Sequence, residues 1–139
     1  GVAGTGYDTL AITGTLDLSA LTGASKFNIN LWSLSGTGPD VNGAAINFDN
    51  AQNYSWVLAS TTGGVTGFSS ADFQINVAAL NGTAGFSNAL NSGTFELGVV
   101  GNDLVLNYAA AIPEPSAFAA LAGVAALGFV GGRRRRRVV

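Results

Sequence analysis

The chain has 139 residues, of which 47% are hydrophobic and only 10% charged, and it contains no cysteine, histidine or methionine. Those absences exclude a disulfide framework, a Cys/His zinc site and any Ser-His-Asp or Cys-His mechanism within this chain. Residues 1–112 set one base, Lys26, against Asp8, Asp17, Asp40, Asp49, Asp72, Glu96 and Asp103, while all five arginines fall at 133–137; so acidic a body excludes a nucleic-acid surface, which needs clustered Lys and Arg.

The first elements are short. Thr9 to Thr13 and Thr15 to Leu21 read as strands separated by Gly14. Phe27-Asn28-Ile29-Asn30-Leu31 then alternates strictly, with apolar side chains on one face and amides on the other. Ser35 to Gly43 is a Gly- and Ser-rich loop. Tyr54, Trp56 and Leu58 form a third alternating face, followed by a loop from Thr61 to Gly67. Phe73-Gln74-Ile75-Asn76-Val77 repeats the pattern of 27–31. Asn81 to Gly93 is again loop, with room for one helical turn at Ala84 to Leu90. Last, Thr94 to Val100 and Leu104 to Tyr108 bracket the turn Gly101-Asn102-Asp103, a hairpin signature.

Seven to nine short strands with no sustained helical period predict an all-β body. A β-solenoid end region is the expected architecture, with a β-sandwich as the alternative. The candidate core is Phe27, Ile29, Leu31, Trp56, Leu58, Phe73, Ile75, Phe95, Leu97, Leu104 and Leu106. The start at Gly1 leads to the expectation that residues 1–111 are the end of a longer exported body.

The tail carries a different grammar. Pro113-Glu114-Pro115 is followed by an uncharged run to Gly132 and then by Arg133, Arg134, Arg135, Arg136 and Arg137. Pro113 and Pro115 keep the preceding backbone out of a helix, and Ser116 suits a helix N-cap. Eighteen residues from Pro115 would span about 27 Å as a helix, close to a hydrocarbon core of about 30 Å. The expectation is a transmembrane helix over 116–132, contacting membrane lipid, with Arg133–Arg137 as a cytoplasmic stop.

These three elements, in this order at the chain terminus, closely resemble the bacterial PEP-CTERM sorting signal. The resemblance covers residues 112–137 and implies recognition of Pro113, Glu114 and Pro115 by an exosortase-type transpeptidase. It also implies transient residence in the inner membrane with the body outside, then release to the cell surface or extracellular matrix. The same tail domain is also labelled an ice-binding protein C-terminal domain. In the body, the run from Asp8 to Leu18 and the Gly101 hairpin resemble the final coils of autotransporter-associated β-strand repeat passengers.

No enzymatic chemistry emerges from the body. Asp40, Asp49, Asp72, Glu96 and Asp103 are separated in sequence and suit turns and caps better than a glycosidase pair. A calcium site at Asp40, Asn42, Asp49 or Asn50 would lack any EF-hand spacing. Tyr54 and Trp56 offer aromatic faces for sugar rings, but alternation with Leu58 favours core packing. Thr13, Thr15 and Thr22 are too few and irregular for a flat ice-binding array. The expectation is a non-enzymatic, cofactor-free surface or matrix protein with a structural or adhesive body. A polysaccharide-binding or polysaccharide-active domain, with exopolysaccharide as partner, is the alternative, and ice binding a weaker one.

Overall fold

The computed structural model describes residues 6–36, 41–78 and 85–112. They are mostly β-strand: β1 (Leu10–Ile12), β2 (Leu16–Asp17), β3 (Phe27–Asn30), β4 (Tyr54–Thr61), β5 (Val65–Thr66), β6 (Phe73–Asn76), β7 (Thr94–Val100) and β8 (Asp103–Ala109). The 3-10 turn Ser70–Asp72 is the only helical element among them.

The strands pair in three separate sheets. The largest has the order β1-β4-β8-β7; β2-β5 and β3-β6 are two-stranded. Each strand of the first passage lies parallel to the strand three elements later, so β1 pairs with β4, β2 with β5 and β3 with β6. The β3–β6 register places Phe27 beside Phe73, Asn28 beside Gln74, Ile29 beside Ile75 and Asn30 beside Asn76. Two sequence stretches with the same alternation are thus stacked like on like, apolar on apolar and amide on amide. β8 then pairs antiparallel with both β4 and β7.

This arrangement corrects the expected architecture. The sheets neither close nor curl, so the solenoid end region is not what forms. The two-sheet sandwich does not form either: a sandwich stacks two antiparallel sheets, whereas three of the five strand pairings here are parallel. β2 and β5, at two residues each, are too short to make a packing face.

The hairpin forms as expected. Gly101 takes a positive φ of 59° at the turn, where a Cβ would be strained. Asp103 joins the returning strand instead of the turn. β8 lies between β4 and β7, so Leu104, Val105 and Leu106 are all buried in succession. A strand covered on both faces loses the alternation seen in half-buried ones. β4 keeps its alternation only as far as Trp56, and the register against β8 shifts between Val57 and Ala59. Past that bulge the buried positions are Ala59 and Thr61.

The core centres on Phe73, Leu97 and Leu106, packed by Ile29, Leu31, Trp56, Leu58, Ile75 and Phe95 among others. Phe27 departs from the core expectation at 55% exposed, because nothing among the described residues covers β3 on its outer side. The loop from 85 to 90 forms no helical turn. Its polar groups are instead tied to the 33–45 segment: Ser87 N donates to Ser33 Oγ at 2.8 Å, and Ala45 N donates to Asn88 Oδ1 at 2.7 Å.

The membrane expectations are corrected as well. Among the described residues no helix is long and apolar enough to cross a membrane, and residues 116–132 lie outside them. The length of the apolar run was the main warrant for that span, and a run rich in Ala and Gly is a weak basis for one, since Gly disfavours helix and Ala is barely apolar. The membrane-lipid partner and the transient inner-membrane location rested on that helix, and no described residue supports either.

Candidate functional site

The functional signal of the sequence lies in the tail, and the fold determines how the tail begins. β8 ends at Ala109, and Ala110 N donates to Asn53 Oδ1 at 2.8 Å. Ala111 and Ile112 are exposed, Ile112 at 87%. Three residues therefore separate the last strand from Pro113. Pro113, Glu114, Pro115 and Arg133–Arg137 lie outside the described residues.

The end of β8 is anchored by an aromatic cluster. Tyr108 is 1% exposed and stands opposite Tyr54 on β4 and Phe95 on β7. Its ring centroid is 4.8 Å from that of Phe48 and 5.1 Å from that of Phe95. Its hydroxyl shares one proton between Leu90 O at 2.8 Å and Asn50 O at 3.1 Å. Buried aromatic pairs contribute about 0.5–1.5 kcal/mol each beyond area burial. The chain thus leaves the body from one of its best-held points.

Tyr54 and Trp56 belong to the same cluster. They stack on each other at 5.3 Å and 19°, and Phe48 covers Tyr54 at 5.3 Å and 24°. Trp56 also lies 6.2 Å from Phe95. Their faces are used in packing, so neither Tyr54 nor Trp56 offers a flat platform for a sugar ring. Phe86 completes the cluster, edge-on to Phe48 at 4.9 Å and to Phe95 at 5.1 Å; Phe48, Phe86 and Tyr108 were not among the core residues expected from sequence. Only Tyr108 carried a legible signal, as the period-two continuation of Leu104 and Leu106.

The candidate cation ligands are dispersed into structural bonds. Asn42 Nδ2 donates to Ser33 O at 2.9 Å and Gly85 O at 3.0 Å. Asp49 accepts from Ala51 N at 2.9 Å, and Asn50 Nδ2 donates to Ala89 O at 2.9 Å. Asp40 lies outside the described residues. No group of three or more acidic residues among the described residues could hold a metal ion.

The carboxylates behave likewise. Asp103 accepts from Thr61 N at 3.2 Å and so fastens the hairpin turn to β4. Asp17 accepts from Ser19 Oγ at 2.6 Å and Ser19 N at 2.9 Å, and more weakly from Thr66 Oγ1 at 3.4 Å. Those bonds, the Ser19 hydroxyl first, hold its carboxyl below the ordinary value. Two shallow depressions of about 290 and 400 Å³ share Glu96 as their only carboxylate. A glycosidase needs two facing carboxylates in one cleft, and neither depression supplies them.

A protein-family model described as the PEP-CTERM protein-sorting motif matches residues 111–136. The chain carries a PEP-CTERM sorting motif. The match begins at Ala111, one residue beyond the bond from Ala110 N to Asn53 Oδ1 and two beyond the end of β8. A PEP-CTERM motif is a non-catalytic sorting signal, and its presence is consistent with an exosortase substrate. No curated protein and no solved structure matches the chain.

Proposed function

We propose that this chain is an exported cell-surface or matrix protein whose body, residues 1–111, is structural or adhesive cargo and whose sorting domain is residues 112–137. Pro113, Glu114 and Pro115 are the recognition element for an exosortase-type transpeptidase, and Arg133–Arg137 mark the end of the signal. The supporting observation is the PEP-CTERM match at 111–136, placed directly after a firmly anchored terminal strand. A processing enzyme needs its target as accessible backbone, and the exposed Ala111 and Ile112 offer that approach. A body whose loops are tied together by Ser33, Asn42, Asp49, Asn50 and Asn88 and packed by aromatic rings suits a passive load.

The test is replacement of Pro113-Glu114-Pro115 by three alanines in a Gram-negative bacterium that carries an exosortase. A tag inserted at the exposed Gly101-Asn102 turn follows the chain by immunoblot. The wild type yields a shortened product at the surface or in the medium, and the variant accumulates uncleaved. Equal processing of the two chains overturns the proposal.

A further inference from the structure

The β3–β6 ladder is open on the β3 side. Among the described residues no strand pairs with the outer edge of β3. Leu31 N donates to Asn76 O at 2.8 Å, so the backbone groups of Ile29 and Leu31 point toward β6. Alternation then directs the N–H and C=O of Asn28 and Asn30 outward, into the open edge. Natural edges are usually blunted by a charge, a proline or a bulge; between Phe27 and Trp32 this one has none.

Side chains follow the same alternation. Asn28, Asn30 and Trp32 are exposed, Ile29 and Leu31 half-buried and Ser33 buried. Two large apolar groups are left bare at this edge, Phe27 at 55% and Trp32 at 51% exposed. Phe73, one strand inward in the same ladder position as Phe27, is only 8% exposed. What buries Phe73 is, in part, the strand beside it, and Phe27 lacks such a neighbour.

From this geometry we infer that β3 pairs antiparallel with β3 of a second copy of the chain, with Ile29 on the two-fold axis. That register makes the edge self-complementary. Asn28 meets Asn30 of the second copy, and both present outward backbone groups, as a hydrogen-bonded antiparallel pair requires. Ile29 meets its own copy as a non-hydrogen-bonded pair, consistent with its groups being committed to β6. Phe27 meets Leu31 of the second copy on the inner face. On the outer face Lys26, the sole base of the body, meets the exposed indole of Trp32, a cation–π pairing made twice by symmetry. The amide row also extends: Asn76 Nδ2 already donates to Asn30 Oδ1 at 2.8 Å, and the pairing sets Asn28 of the second copy beside Asn30. A register shifted by one residue would set amides against apolar groups. The inference goes beyond the sorting proposal and stands or falls separately from it.

The full chain contains no cysteine, so cross-linking reads the register directly. Asn28→Cys and Asn30→Cys chains are purified in mild detergent and oxidised separately and as a mixture. Opposed positions lie about 5.5 Å apart between Cα atoms, within disulfide range, whereas like positions lie about 8 Å apart, outside it. The expected result is a covalent dimer in the mixture and little in either chain alone. Circular dichroism confirms that both exposed substitutions leave the fold intact. Independently, Trp32→Ala weakens dimerisation by roughly tenfold in sedimentation equilibrium, from the loss of two cation–π pairs. Equal cross-linking in all three samples overturns the proposal, as does a wild type that stays monomeric at about 100 µM. A dimer indifferent to Trp32→Ala overturns it as well, because association through the tail or another strand would behave that way.

Discussion

Replacing Gly93 with alanine drives a methyl group into the most deeply buried ring among the described residues, that of Tyr108. A Cβ at this position would fall inside contact distance of Tyr108 Oη and Cζ, with Cε2 at 2.8 Å. The ring has little room to retreat, since Phe48 and Phe95 hold it at 4.8 and 5.1 Å and its hydroxyl is engaged by Leu90 O and Asn50 O. Gly93 cannot move away readily either, because its own N–H donates to Leu90 O at 2.8 Å. Overpacking costs about 1–3 kcal/mol, and displacing the shared hydroxyl proton costs about 1 kcal/mol more. The expected loss is about 2–4 kcal/mol, with Tm falling roughly 4–8 °C per kcal/mol for a body of this size. Thermal and urea unfolding of Gly93→Ala, Tyr108→Phe and the double variant measure it. Tyr108→Phe removes the nearest atom, so Gly93→Ala must cost less in that background, with a coupling of at least about 1 kcal/mol. Strict additivity, or a single-variant loss below about 1 kcal/mol, refutes the reasoning.

Ser33→Ala removes the buried hydroxyl that donates to Gly43 O at 2.8 Å and accepts from Ser87 N at 2.8 Å. Leaving both partners unpaired costs about 2–3 kcal/mol in urea unfolding, with hydrogen exchange of the 85–90 loop accelerating first. Thr61→Val keeps the shape but loses the bonds from Thr61 Oγ1 to Asn102 O at 2.7 Å and from Gly64 N at 2.8 Å; a loss of about 1–3 kcal/mol is expected. Asp17 has a carboxyl pKa lowered in the folded state, so its stabilising effect is present above the unfolded value of about 3.9 and is lost as pH falls through the folded value. Tm of wild type minus that of Asp17→Ala should therefore be constant near neutrality and shrink only in acid. A difference that grows as pH falls would reverse the sign of that linkage.

Much of this protein is determined by sequence alone. Period-two alternation at Phe27–Leu31 and Phe73–Val77 marks strands because a pleat sorts side chains to two faces whatever the partner. Gly101-Asn102 marks a hairpin because few residues tolerate the turn's backbone. The sorting motif is legible for a related reason: it is a contiguous run at residues 111–136, so it can be matched without knowing how the chain folds. Partner choice is different, because it depends on residues far apart in the chain. Nothing local shows that Phe27 lies parallel to Phe73 or that β4 slips at Val57. Nothing local shows that the hydroxyl of Tyr108 closes on Leu90 and Asn50. The same limit explains the failed architecture and membrane expectations: short strands fit several sheet topologies, and an apolar run of sufficient length carries no information about its surroundings. Tertiary structure alone joins Tyr54 and Trp56 to Phe48, Phe95 and Tyr108, commits Asp17, Asp49 and Asp103 to separate structural bonds and leaves the edge of β3 open among the described residues.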